Sequence, residues 1–515
     1  MFRKYLFIFV AIAGLLDAGF LTYEHFSNFI PPCSENILFA DCGKVLNSPY
    51  SLIFGIPLAL IGIFQYGLIL LATILAFQFK KRIAAYLLVL LTTTGFLASI
   101  YFVFLQVVVI KATCLYCLFS AFTSTILFIF TLIFLKKDRK RLTLAVFHFT
   151  YAYLAKPVFF QINPETVHTT MVRIGETIGS WPILKLATKF LIHQTDPSLT
   201  QTIAGIRFKA PVGLAAGFDY EARLTHSLAS FGFGFQSIGT ITNNPYEGNP
   251  RPMLGRLPKS KSLMVNKGFK NLGAEGTIAK LHKSGFQIPV GVSIGMTNTL
   301  KIKTQKEGIT DIIAAFKKFE NAKIANAYYE LNISCPNLLG KITFYSPKNL
   351  EELLAQVDKL KLSKPLFMKM PIEKSDKETL AMLSVIAKHS PAGVIFGNLQ
   401  KDRKNKALVT SEVAKFPIGN FSGKPTYQRS NELIRLAYKN YGKKLVIIGC
   451  GGIFSAQDAY TKITLGASLL QLITGMIYEG PSLIMQINFG LVDLLEKDGF
   501  THISQAIGSK NQINK

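Results

Sequence analysis

The chain has 515 residues, 49% of them hydrophobic, and 57 basic against 30 acidic residues give it a net charge of +27. A mean hydropathy of +0.31 excludes an ordinary soluble protein of this size, and the length leaves room for two or three domains. The positive balance suits an anionic membrane surface or phosphate-bearing ligands. Basic residues such as Lys401, Arg403, Lys404 and Lys406 have no base-stacking aromatics beside them, so they read as a solvated face and nucleic acid is not expected as a partner.

Four apolar stretches open the chain, at residues 5–26, 53–79, 84–110 and 115–135. Each is near or above the roughly 20 residues that a helix needs to cross the hydrocarbon. The first is too long for a signal peptide and has no clear small-residue cleavage site, so it is read as a retained span. Lysine and arginine collect at Arg3-Lys4, at Lys80-Lys81-Arg82 and across 136–141, which places these segments inside and the loops 27–52 and 111–113 outside. The two outer loops, with the start of the fourth stretch, carry Cys33, Cys42, Cys114 and Cys117, while Cys335 and Cys450 stand isolated in the rest of the chain. Paired cysteines suit an oxidising compartment and free ones a reducing one. A four-ligand zinc site, inert burial and a dithiol relay are all open; the relay explains two cysteine pairs at one membrane face.

The run Asp41-Cys42-Gly43-Lys44-Val45-Leu46-Asn47-Ser48-Pro49-Tyr50 after Cys33, then Phe54-Gly55-Ile56-Pro57, then C-x-x-C at Cys114 and Cys117, resembles the vitamin K epoxide reductase family over nearly all of 1–141. The resemblance implies that Cys114 and Cys117 pass electrons to quinone. It further implies that Cys33 and Cys42 shuttle electrons from a thioredoxin-like thiol partner, and that Ser48 stands on the quinone side. No metal is implied. A helix N-terminus at Cys114 suits a low thiol pKa.

Residues 142–200 read as a helical extension. Pro157 and Pro164 are expected to break its aromatic first half into short helices, and composition alone fits an interfacial pair and a packing cap equally.

From residue 205 onward, strand-like runs alternate with helical patterns: 212–218, 235–241, 289–295, 328–334, 365–370, 392–398, 445–449 and 467–474. Eight βα units predict an α/β (β/α)8 TIM barrel over 201–496, followed by a tail at 497–515, with chemistry at the C-terminal strand ends. Asp219, Thr240, Ser293, Asn332, Lys369 and Asn398 collect there. Gly449-Cys450-Gly451-Gly452 and Thr474-Gly475 lie where such barrels hold phosphate. Cys450 itself reads as a buried small hydrophobe.

Tyr329-Glu330-Leu331-Asn332-Ile333-Ser334-Cys335-Pro336-Asn337, with the 213–219, 231–234, 238–242 and Asn249-Pro250-Arg251-Pro252 segments, resembles the dihydroorotate dehydrogenase family. The 159–168 segment resembles the N-terminal extension of its class 2, quinone-using members, which favours a membrane-facing role for the extension. The resemblance implies FMN at the barrel mouth, a hydride leaving dihydroorotate C6 and a base at Cys335 removing the C5 proton. It places Asn266, Phe269, Asn332, Asn337 and Asn398 on the substrate. It places Ala216, Gly217, Thr240, Ser293, Asn332, Lys369, Gly397, Gly423, Gly452, Ile473 and Thr474 on the cofactor. Two positions depart from the family: Tyr220 replaces a lysine that meets flavin and substrate, and Gly397 replaces a hydroxyl residue. Cysteine at the base position is usual in soluble class 1 members, and its reference pKa makes it an accessible base near neutral pH.

The expectation is an inner-membrane, multi-pass protein with periplasmic cysteine loops and a cytoplasmic barrel. Dihydroorotate, membrane quinone, a thiol partner and the lipid bilayer are its expected partners. Two other functions fit the sequence: a flavin barrel acting on a different unsaturated substrate, with dihydrouridine-type reduction of RNA as the distant case, and a membrane thiol oxidase with an inactive barrel.

Overall fold

The computed structural model describes residues 2–27, 41–79, 81–193, 195–281, 285–340 and 342–511. The chain divides into two compact units, Met1–Thr143 and Leu144–Lys515.

The first unit is a bundle of α1 (Phe2–Ser27), α2 (Leu58–Phe77), α3 (Arg82–Phe104) and α4 (Leu115–Phe134), all long and apolar enough to cross a membrane. Without water to drive association, such helices meet through small residues and interhelical hydrogen bonds. Gly14 has the Tyr66 ring where a Cβ would stand. The Tyr66 hydroxyl crosses to α4, 3.0 Å from Ser120 O and 2.7 Å from Thr123 Oγ1, and Thr92 meets Thr131 at 2.8 Å. The second apolar stretch is not helical from its start. Leu52–Ile53 pairs antiparallel with Ile56–Pro57, because Phe54 and Gly55 both take positive φ (51° and 79°), the hairpin-turn conformation.

The expected break at Pro157 is corrected, whereas the chain does break before Pro164. Helix α5 (Lys136–Thr150) continues through a π-helical turn, Tyr151–Ala155, into α6 (Lys156–Gln161). The Lys156 N–H closes the widened turn onto Tyr151 O, and Pro157 falls in the first turn of α6, where a missing N–H costs nothing. Asn163 then caps α7 (Pro164–Ser180), and α8 (Pro182–Ile192) follows.

Eight parallel strands close the barrel: β1 (Val212–Leu214), β2 (Phe235–Ile241), β3 (Val290–Ile294), β4 (Tyr328–Asn332), β5 (Leu366–Lys369), β6 (Gly393–Phe396), β7 (Val446–Cys450) and β8 (Leu469–Leu472). They coincide with the eight runs of the sequence, and closure falls where Leu470 registers with Val212. Aromatic rings fill the interior near the strand starts. A Cβ on Gly213 would strike the Phe235 ring and one on Gly291 the Tyr328 ring, so backbone approach makes room for the rings. Phe208 and Ile203, from the hairpin Gln201–Ile203 and Ile206–Phe208, join this cluster. A second sheet, Leu254–Leu257, Ser262–Val265 and Asn420–Gly423, supplies further wall to the cavity described next.

Candidate functional site at the barrel mouth

A cavity of about 470 Å³ lies at the C-terminal strand ends, within the usual range for ligand sites. One end is polar. Bare backbone lines it at Gly423, Gly451, Gly452 and Gly475, and a Cβ at Gly475 would stand 1.9 Å from Ile453 O and one at Gly423 2.5 Å from Lys261 O. Such a lining presents N–H groups to a phosphate. Thr474 opens the short helix Thr474–Glu479 there, and its Oγ1 meets Ser422 Oγ at 2.8 Å. The other end is apolar, walled by Val167, Met171, Ile174 and Ile178 of α7 together with Leu228, Phe231 and Met476. The glycine-lined cradle fits the phosphate of the expected FMN.

Hydrogen-bonded side chains from five strands, β2 to β5 and β8, form a network at the barrel mouth. Asn332 Nδ2 donates to Thr240 Oγ1 (2.8 Å), Thr240 Oγ1 meets Ser293 Oγ (3.1 Å), and Ser293 Oγ donates to Glu330 Oε1 (3.2 Å). Glu330 also faces Lys369 Nζ at 3.5 Å and accepts from Gln471 Nε2 at 3.3 Å. Burial disfavours the Lys369 ammonium, but Glu330 more than offsets it, leaving that pKa above the usual lysine value. A buried pair of this kind is costly to break by removing one partner.

Cys335 lies on the cavity wall in the loop after β4, flanked in sequence by Asn332 and Asn337, which also line it. Burial pushes its thiol up to about 11, against the pull of the Asn337 backbone N–H and the charges of Lys369 and Lys401. The cavity therefore moves this group away from neutral pH, opposite to the expectation from its reference value. The neighbouring amides are fixed by partners: Asn337 Nδ2 donates to Val265 O (3.0 Å), its Oδ1 accepts from Asn420 Nδ2 (2.6 Å), and Asn398 Nδ2 donates to Ser334 Oγ (2.6 Å).

Of the positions named from the sequence, Ala216, Gly217, Tyr220, Thr240, Phe269, Asn332, Cys335, Asn337, Lys369, Gly397, Asn398, Gly423, Gly452, Ile473 and Thr474 line the cavity. Ser293 and Asn266 do not reach its wall. Ser293 sits beneath Thr240, and Asn266 Oδ1 accepts from Asn249 Nδ2 at 3.0 Å. Cys450 does line the cavity and keeps partial exposure, so it is not the fully buried hydrophobe expected. Asp219 is structural, accepting from Arg223 N, Leu224 N and Gln236 Nε2. Sequence reasoning missed Glu330, Ser334 and the amide cluster of Asn249, Asn298 and Asn420; Glu330 was detectable as the inward neighbour two residues before Asn332.

In the bundle, Cys42, Val45, Ala112 and Cys114 form one apolar cluster with Tyr116 and Cys117 packed on it. Cys114 caps α4, its Sγ accepting from the Cys117 N–H at 3.4 Å, and its own N–H donates to Gln106 Oε1 at 3.0 Å. The Cys117 thiol and the helix-end N–H groups lower the Cys114 pKa against burial. Cys114 and Cys117 are free thiols whereas Cys42 is disulfide-bonded, which removes Cys42 from any thiolate set for zinc. Cys33 lies outside the described residues. Ser48 is half-buried, its hydroxyl donating to Val45 O at 2.7 Å.

Fold and site together define a membrane-anchored (β/α)8-barrel oxidoreductase carrying a second, thiol-bearing module. The dihydroorotate dehydrogenase family model matches residues 198–495, and that of the vitamin K epoxide reductase family matches residues 5–132. Similar proteins include dihydroorotate dehydrogenase (quinone) from Corynebacterium diphtheriae, 34% identical over 70% of this chain and 98% of its own length. The enzyme of the same description from Rippkaea orientalis is 36% identical over 67% of this chain and 94% of its own length. Among solved structures, that of the Eimeria tenella enzyme in complex with ferulenol superposes with a TM-score of 0.61 at 26% identity, covering 68% of this chain and 96% of that one. The chain belongs to the dihydroorotate dehydrogenase family, fused at its N-terminal end to a vitamin K epoxide reductase family domain.

Proposed function

We propose that the barrel oxidises dihydroorotate to orotate with FMN as cofactor and membrane quinone as final acceptor, a step of pyrimidine biosynthesis. The observation that carries this reading is the position of Cys335, on the wall of the same cavity as the glycine-lined phosphate cradle. When bound, FMN supplies the acceptor for the hydride leaving C6. Cys335 takes the C5 proton, the one transfer assigned to a side chain. Asn332, Asn337 and Asn398 orient the pyrimidine, each amide pre-set by a partner, so little reorganisation accompanies binding. The Glu330–Lys369 pair would hold a charged donor beside the cofactor.

The apolar end of the cavity serves the quinone. Its wall helix α7 and the following α8 leave Ile174, Trp181, Ile183, Leu186 and Phe190 exposed, a face suited to the lipid interface. The charge asymmetry of the spans supports a cell inner-membrane location with periplasmic cysteine loops and a cytoplasmic barrel.

In the bundle, a thioredoxin-like dithiol outside the membrane reduces the Cys33 and Cys42 pair, which reduces a Cys114–Cys117 disulfide. The resulting dithiol is oxidised again by quinone, two electrons and two protons leaving as quinol.

The test supplies dihydroorotate and a soluble quinone analogue to the purified full chain while its bound flavin is measured. Quinone-dependent orotate formation is expected. Stoichiometric flavin with no orotate formed refutes the pyrimidine role and favours another unsaturated substrate.

A further inference from the structure

Lys267, Lys270, Lys369 and Arg256 line the cavity, and two of the lysines are placed differently. Lys369 is paired with Glu330. Lys267 lines the cavity with its Nζ 4.2 Å from the centroid of the Tyr220 ring, and among the described residues no carboxylate stands within ion-pair distance of it. Lys270 Nζ stands farther from that ring, at 6.0 Å, and His168 of α7 stacks on it, nearly parallel at 14° with centroids 5.6 Å apart. His168 is itself tied to Phe218 O at 3.0 Å. Burial, with the charges of Lys267 and Lys270, pulls His168 down to about 3, so the positive charge at this ring comes from the lysines, Lys267 being the nearer. Burial, with the like charge of Lys270, pulls Lys267 to about 7. A π face compensates an ammonium only in part for lost water, and a desolvated lysine on a ligand cavity wall is stabilised most by an arriving anion.

Resting on the function proposed above, we infer that Lys267, seated on Tyr220, is the binding cation of this pocket for the negative charge of its ligands. It takes over from the loop at 266–270 the role that a lysine at position 220 would have played. That charge comes from one of two sources, the carboxylate of the pyrimidine or the reduced, anionic flavin ring.

The test uses the flavin-loaded full chain, with orotate binding read by flavin difference spectra and the flavin midpoint potential read without ligand. In Lys267→Met, at least a tenfold loss of orotate affinity identifies the carboxylate. A tenfold fall in the reduced-to-oxidised ratio, about 30 mV for a two-electron couple, identifies the reduced ring. Adding Tyr220→Lys to Lys267→Met restores most of the loss, and Lys267→Arg alone retains the wild-type value. Lys267→Gln provides the same comparison if the methionine variant loses flavin. Unchanged affinity and potential in a charge-removing variant that keeps its flavin overturn the inference, as does a loss that neither Tyr220→Lys nor Lys267→Arg repairs, since that outcome assigns Lys267 to structure alone. Wild-type chain that binds no orotate overturns the substrate reading, while the potential measurement still decides the role of Lys267.

Discussion

The same side chain meets opposite environments in the two units. In the bundle, Cys114 sits at the N-terminus of α4, where the Cys117 thiol and helix-end N–H groups favour its thiolate. On the barrel wall, burial drives Cys335 up to about 11. A stabilised thiolate attacks disulfides and carries electrons, whereas a group with a raised pKa holds a proton strongly once it has accepted one. Under the proposed roles, placement and not residue type would separate an electron carrier from a proton carrier.

The harshest test of this contrast is Cys114→Ala, which should abolish thiol-driven quinone reduction while orotate formation by the same preparation continues. Loss of both activities would mean that the units are not independent catalysts. Next in size is Cys335→Ala, expected to slow orotate formation by about 10² to 10⁴-fold with bound flavin and thiol oxidation unchanged. A drop below threefold would take the proton transfer away from Cys335.

Titration sharpens the same point. Because the Cys335 pKa lies above neutrality, its thiolate fraction grows about tenfold per pH unit until pH approaches that pKa. The rate of orotate formation at saturating dihydroorotate should therefore climb between pH 7 and 9, and a flat profile would show that another base or step controls the rate. The smallest effect concerns the scaffold. Thr304 and Glu307 form a capping box on the helix Gln305–Ala322, and Thr304→Ala should lower barrel stability by about 1 kcal/mol, measured by denaturant unfolding, without altering either activity.

All eight barrel strands were legible because each is a short, mostly apolar buried run, a pattern that local sequence states directly. The four spans were legible from length and apolarity alone. Pro157 misled because a π-helical turn, which depends on Tyr151 and Lys156 pairing over five residues, leaves no trace in composition. The amide cluster was invisible for a different reason: Asn249, Asn337 and Asn420 come from three distant segments and meet only in the fold. Ser293 and Asn266 had the right chemistry at nearly the right place, yet their depth relative to the cavity wall is set by strand register, and no motif reports that. The pKa of Cys335 likewise follows from burial, which its neighbours in sequence do not disclose.

The wall that α7 lends to the apolar end of the cavity also changes what concentration means for this enzyme. An acceptor that arrives there from lipid is drawn from a two-dimensional pool, so its mole fraction among lipids, and not its amount per litre, sets how often the site is filled. Adding lipid vesicles at constant total quinone should slow the barrel by simple surface dilution, while added water should leave its turnover untouched.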